Sequence, residues 1–457
     1  MKILTSQIKH IVHCCAFFAL LAFTYTFITQ PTTNIDPWKE YGYIPSIVFY
    51  ILSGLPLLGL PQLLFVIIGL LYFNQFRENL TLNGPLLEAP FLCFRVVTRG
   101  DYPELVKNNV KRNLKKCQSL GLENFYFEVV TDSATGMIKE NKIREIVVPK
   151  NYNTASGALY KARALQYALE DKVNILENEN WVVHLDEETV LTESSIIGIV
   201  NFVTNGKYEL GQGAITYADE EIVNWLTTLI DISRVSDDLG NLQFQLAILH
   251  RPIFAIKGSF LVVKYGVEKD VTFDHGTEGS IVEDNFFANI AVTKGYKFNF
   301  IQGVMWEKSP FSLSDCIKQR TRWNQGVHLL LDSSKIPLKN KFLLFFSYYA
   351  VLTTPFSIVY YLLSPLYPIP MSPIVNLLNA FILAACCYSN IFGAIKSFSI
   401  ERFGTFKVIL LTTISYILLP VLGVLQSCVA LQSLFGKKNQ FYIVDKNFKE
   451  KAMLQTV

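Results

Sequence analysis

Hydrophobic positions in this chain gather into long unbroken runs at both ends, and the stretch between them alternates. Near the N-terminus, residues 11–29 (IVHCCAFFALLAFTYTFIT) and 44–73 (IPSIVFYILSGLPLLGLPQLLFVIIGLLYF) contain no Asp, Glu, Lys or Arg. Toward the C-terminus the runs 342–367, 374–395 and 408–436 repeat the pattern. A bilayer core about 30 Å thick takes roughly 20 residues of helix, so each run is long enough to span it. The first run is long and lacks a small-residue cleavage site, so it reads as an uncleaved anchor rather than a signal peptide.

Between these runs the period changes. FLCFRVVT (91–98), FYFEVVTD (125–132), EIVVP (145–149) and WVVHLD (181–186) are strand-like. PELVKNNVKRNLKKCQSL (103–120) and SGALYKARALQYALED (156–171) are helix-like and lie between them. Such alternation predicts βαβ units and a mostly parallel α/β sheet. The expected organisation is an N-terminal membrane region (1–87), an inserted α/β domain (88–335), a C-terminal membrane region (336–436) and a short tail (437–457).

Charge sets an expected orientation, because positive residues beside spans favour the cytosol. Lys2 and Lys9 precede the first run, and Lys335, Lys339 and Lys341 precede the third. Two N-terminal spans then place the middle region in the cytosol. The loop 396–407 and the tail are both basic, so 408–436 should not cross only once. Pro420 suggests a bent re-entrant pair, or an interfacial helix plus one span. The net charge of +3 gives no reason to expect nucleic-acid binding. The eight cysteines include no CxxC, so neither a disulfide framework nor a zinc pattern is expected. The sequon Asn79-Leu80-Thr81 follows a span and is expected to carry no glycan.

Three constellations carry the candidate chemistry. WVVHLD runs into Asp186, Glu187 and Glu188 at a strand end, where ligands bind in open parallel sheets. Asp186 and Glu188 are two apart and share a face on an extended backbone, which suits Mg²⁺ or Mn²⁺. A solvated turn capped at Thr192 explains the same residues without a metal. In GSIVEDNFFANIA (279–291), Glu283 and Asp284 precede a helix pattern. The dipole at a helix start favours acids in any protein. In KQRTRWNQG (318–326), Gln319 and Arg322 lie three apart on one helix face, followed by Trp323. Arg offers a planar fork for phosphate oxygens, although a basic amphipathic helix on a membrane would look alike.

Asp132, then Asp186-x-Glu188, then Glu283-Asp284, then Gln319-x-x-Arg322-Trp323, in that order between membrane runs, resembles the family 2 inverting glycosyltransferases of GT-A fold. The stretches FRVVTRGDYPELVKNNV, REIVVPKNY, HLDEETVLTE and EKSPFSLSD further resemble the Egghead-type β-1,4-mannosyltransferases of invertebrates.

The resemblance implies a Rossmann-like domain that binds a nucleotide-diphospho-sugar. It assigns Asp132, Gly157, Lys161, Asp186, Gln319, Arg322 and Trp323 to the donor, and Asp186 and Glu188 to Mn²⁺ or Mg²⁺. Gly258, Ser259 and Glu283 fall on the acceptor side. Asp284 becomes the catalytic base and Arg322 a catalytic cation. Two departures stand out: Glu188 replaces the second Asp of a DxD motif, and Val282 stands where Thr is usual before the acidic pair. The implied reaction transfers mannose from GDP-mannose to glucosylceramide in glycosphingolipid synthesis, in the ER or Golgi membrane. Two rivals remain. A processive polysaccharide synthase needs a polymer channel, for which five runs are few. A transporter or scaffold commonly carries charges within its spans.

Overall fold

The computed structural model describes residues 5–29, 35–77, 80–137 and 141–435. Asn79 of the sequon and the tail 437–457 lie outside the described residues. The chain begins with α1 (Ser6–Ile28), α2 (Pro37–Glu40), α3 (Tyr43–Gly54) and α4 (Leu60–Tyr72). There follow β1 (Leu92–Thr98), α5 (Pro103–Ser119), β2 (Phe125–Thr131), β3 (Ile143–Val147), α6 (Tyr160–Ala168), β4 (Trp181–Asp186) and α7 (Glu193–Asn205). Next come β5 (Leu210–Thr216), α8 (Trp225–Asp237), α9 (Gln243–Ala247), β6 (Leu261–Lys264), α10 (Tyr265–Val271), α11 (Glu283–Thr293), β7 (Phe298–Trp306) and α12 (Leu313–Asp332). The chain closes with α13 (Leu338–Leu363), α14 (Pro373–Ser397), α15 (Ile400–Phe403) and α16 (Thr405–Phe435).

These elements form two compact units. One contains the described residues up to 77, Ile232–Phe244 and Leu338–Phe435; the other contains the α/β region up to Asp231 and Gln245–Pro337. The first holds five helical stretches long and apolar enough to cross a membrane: Ser6–Ile28, Tyr43–Tyr72, Leu338–Leu363, Pro373–Ser397 and Thr405–Phe435. The second is broken by a 3₁₀ turn at Leu55–Gly59, where Pro56 removes a backbone donor. The last is one helix of 31 residues with Pro420 inside it. It is continuous, where the basic flanks and Pro420 left open a bent re-entrant pair or an interfacial helix plus one span. Helix rise makes it about 46 Å long, ample for one crossing.

Within this unit, polar side chains join the apolar helices. His13 Nε2 bonds the Leu70 carbonyl at 2.9 Å, and Tyr388 bonds the other ring nitrogen. Asn379 donates to the Ser53 carbonyl at 3.1 Å. The segment Ile232–Phe244 belongs here because its backbone and polar groups meet α4 and the residues just after it. Gln75 donates to the Leu239 carbonyl at 2.8 Å and to Gln243 at 3.0 Å, and Gln62 donates to Asp237 at 3.3 Å.

The α/β unit holds a seven-stranded sheet in the order β3-β2-β1-β4-β6-β5-β7. All strands run parallel to their neighbours except β6, which is antiparallel to β4 and β5. The expected mostly parallel sheet is therefore present. Every residue of β1 is buried, as a strand covered on both faces requires. Arg95 of β1 is fully buried and charge-paired to Glu128 of β2 at 2.7 Å and to Glu268 of α10 at 2.9 Å. Because β1, β2 and β4 are parallel and in register, their ends bring Thr98, Asp132 and Asp186 to the same sheet edge.

Candidate active site

The three adjacent acids separate by burial. Asp186 and Glu188 are partly exposed, whereas Glu187 is buried and accepts a hydrogen bond from Thr98 of β1. Its backbone carbonyl accepts from Asn109 at 3.0 Å. Glu187 thus anchors the turn. Ser259 lies beneath: its hydroxyl meets Thr189 Oγ1 at 2.7 Å and accepts from the Asp186 amide at 3.4 Å. Ser259 is 2% exposed, so the structure places it as a strut under the acidic turn. Gln212 of β5 secures the same segment, donating to the carbonyls of Lys257 at 2.7 Å and Ser259 at 3.1 Å.

Helix α6 carries two cations to two strand ends. Lys161 Nζ lies 2.6 Å from Asp186 Oδ1 and 3.5 Å from Glu283 Oε1. Arg163 pairs with Asp132 just past β2. The helix begins later than 156 because the amides before it are taken by side chains: Thr154 accepts from Ala158, and Ser280 accepts from Leu159. Gly157 lies in that loop with φ of +78°.

Glu283 and Asp284 form the first turn of α11, as the sequence indicated. Gly258 faces them. A β-carbon there would lie 2.9 Å from Lys161 Nζ, 3.2 Å from Asp284 Oδ2 and 3.4 Å from Glu283 Oε1. Any side chain at 258 would press on the lysine and both carboxylates. Burial, then the charge of Glu283, pushes the Asp284 carboxyl up to about 7, with Lys161 pulling the other way. A carboxylate so placed is a competent proton acceptor near neutral pH.

Helix α12 starts at a Ser312 cap that accepts from the Asp315 amide at 3.1 Å. Its Gly326 lies against Val282, the residue before the acidic pair. Arg322, one turn earlier on the same face, is drawn below its ordinary pKa by burial and held up by Glu283, Asp284 and Asp186. Gln319 Oε1 is buried with no hydrogen-bond partner among the described residues. Trp323 carries the Arg320 guanidinium 4.8 Å above its ring, and Arg320 pairs with buried Asp231.

Lys161, Asp186, Gly258, Glu283, Asp284 and Arg322 thus converge, while Asp132 is held by Arg163, two residues after Lys161 on α6. Arg163 and the Gln212–Ser259 strut were missed in the sequence. The second cation of LYKARAL was a visible signal for Arg163; nothing local marked Gln212. The donor set at Asp186 and Glu188 is all oxygen and partly exposed, which fits a hard divalent cation.

A family described as Glycosyl transferase family group 2 matches residues 181–396, from β4 through the acidic pair and α12. Beta-1,4-mannosyltransferase egh of Drosophila melanogaster is 48% identical over 460 residues, covering 99% of this chain and 100% of that protein. Beta-1,4-mannosyltransferase bre-3 is 46% identical over 450 residues in Caenorhabditis elegans and over 455 in Caenorhabditis briggsae, each covering 97% of this chain and 99% of the relative. Similarity at this level over nearly the whole of each chain establishes that the chain belongs to the mannosyltransferase family of egh and bre-3, within the family 2 glycosyltransferases.

Proposed function

We propose that the chain transfers mannose from GDP-mannose to glucosylceramide, forming a β-1,4 linkage in glycosphingolipid synthesis. The linkage follows the names of the relatives, and the donor and acceptor follow the resemblance in the sequence. The observation that carries the chemistry is the convergence of Asp284 on the Lys161–Asp186 pair, with Gly258 letting the lysine and both α11 carboxylates pack close to its backbone.

Asp284 takes the proton of the attacking acceptor hydroxyl. The hydroxyl oxygen bonds the anomeric carbon from the face opposite the diphosphate. The bond from that carbon to the β-phosphate oxygen breaks, its electron pair leaves with the nucleoside diphosphate, and the α-linked sugar becomes β-linked. Arg322 presents fixed positive charge to the departing diphosphate. Mn²⁺ or Mg²⁺ held by Asp186 and Glu188 would neutralise charge on the same phosphates. Asp132, Gly157, Lys161, Gln319 and Trp323 hold the rest of the donor, and Ser259 keeps the acidic turn in place. The membrane helices present a lipid acceptor in a fixed orientation, which raises its effective concentration. Charge beside the spans supports a catalytic unit on the cytosolic face of the ER or Golgi membrane.

The test incubates membranes holding the full chain with glucosylceramide and, separately, GDP-mannose, UDP-glucose or UDP-N-acetylglucosamine. The expected product is mannosyl-β-1,4-glucosylceramide from GDP-mannose alone, identified by linkage analysis. Transfer from another donor, or to protein rather than lipid, would replace this assignment.

A further inference from the structure

Lys161 does more than line the donor site. Its ammonium contacts Asp186, an intended metal ligand, at 2.6 Å, and Glu283 at 3.5 Å. The Gly258 cradle brings Asp284 to the same place, so three carboxylates from β4 and α11 face one cation. The lysine side chain is only 16% exposed, while that of Asp186 is 42% exposed. The stem is fixed at the start of α6, where Tyr160 has φ of +54° and the two preceding amides are held by Thr154 and Ser280.

Mg²⁺ binds carboxylate oxygen at about 2.0–2.1 Å. With the ammonium still at its hydrogen-bond distance from the same carboxylate, the two cations would be only a few ångströms apart and would repel. A diphosphate resolves the conflict, because its oxygens offer the ammonium new partners and share the metal. Resting on the metal reading of Asp186 and Glu188, we infer that Lys161 is a resident counter-cation that suppresses metal binding until the donor diphosphate arrives. Metal and donor affinities are then coupled, and the coupling runs equally in both directions.

The experiment uses the full chain in detergent without substrate. Mn²⁺ alone is titrated by calorimetry into the wild type, Lys161→Met, Lys161→Gln and Lys161→Arg. GDP is then titrated with and without Mn²⁺. The wild type should bind Mn²⁺ weakly alone, and Mn²⁺ should tighten GDP binding about ten-fold or more. Both neutral variants should bind Mn²⁺ alone at least ten-fold more tightly than the wild type, and should bind metal-free GDP more weakly. Arg keeps the charge and should retain the weak Mn²⁺ binding. Neutral variants that melt like the wild type yet bind Mn²⁺ no more tightly would overturn the inference. Failure of the wild type to bind Mn²⁺ even with GDP would overturn the metal reading itself, and this inference with it.

Discussion

Gly326 of α12 touches Val282 so closely that a β-carbon on Gly326 would lie 2.3 Å from Val282 Cγ1. Val282 is the residue before the acidic pair, and Arg322 is one helical turn before Gly326. This contact lets α12 pack closely against the residue that leads into Glu283 and Asp284. Gly326→Ala should push the helix away and lower kcat on the order of ten-fold or more. Overpacking of this kind typically costs about 1–3 kcal/mol of stability. Restored turnover in Gly326→Ala combined with Val282→Ala, measured by product formation, would show that spacing is the cause. An unaffected single variant would show that α12 has room to move.

Much of this arrangement was legible before the structure. The strands at 91–98, 125–132 and 181–186 and the helix at 103–120 match β1, β2, β4 and α5 within a residue. Apolar period and turn residues are local signals, and they survive in the fold. The acids were legible because charge at the end of a buried strand needs a reason. Partners far apart in sequence were not. Arg320 finds Asp231 89 residues away, and Gln212 finds Lys257 45 residues away. The association of Ile232–Phe244 with the apolar helices was also hidden, because the segment carries Asp237 and Asp238 and reads as polar. Asp237 is met by Gln62, and Gln243 and the Leu239 carbonyl by Gln75, only once folded.

Arg322→Lys should damage the enzyme although the charge is kept. Lys is a point charge and cannot make the two-pronged contact that a diphosphate accepts from Arg. A loss of about ten-fold or more in kcat/KM is expected, with the larger part in kcat. Unchanged kinetics in membranes of fixed composition would make Arg322 a lipid anchor and remove it from the site.

Chelation with EDTA should abolish turnover, and added Mn²⁺ or Mg²⁺ should restore it. Asp186→Ala and Glu188→Ala should each raise donor KM, since the diphosphate is then less well neutralised. Glu187 is expected to behave differently: with its carboxylate on Thr98, Glu187→Gln should lower melting temperature more than it lowers metal affinity. Full activity in chelator would return the acidic turn to a purely structural role.

Protease added to sealed microsomes should cut within 88–335 without detergent, and Asn79 should carry no glycan. Protection of that region, or a glycosylated Asn79, would place the catalytic unit in the lumen.

In the proposed single inverting displacement, Asp284 is the base. Asp284→Asn keeps the shape and removes the basicity, and losing a general base typically costs about 10²–10⁴-fold. Because burial raises this carboxyl to about 7, the wild-type rate should rise with pH through that region as the base loses its proton. Steady-state kinetics of Asp284→Asn beside the wild type, with GDP affinity measured in parallel, is the direct test. The expected result is at least a hundred-fold loss of kcat, no rising limb near pH 7 in the residual rate, and GDP affinity within about three-fold of the wild type. Near-normal turnover with the pH limb intact would contradict the mechanism and pass the proton to another group, with Glu283 the neighbour to examine.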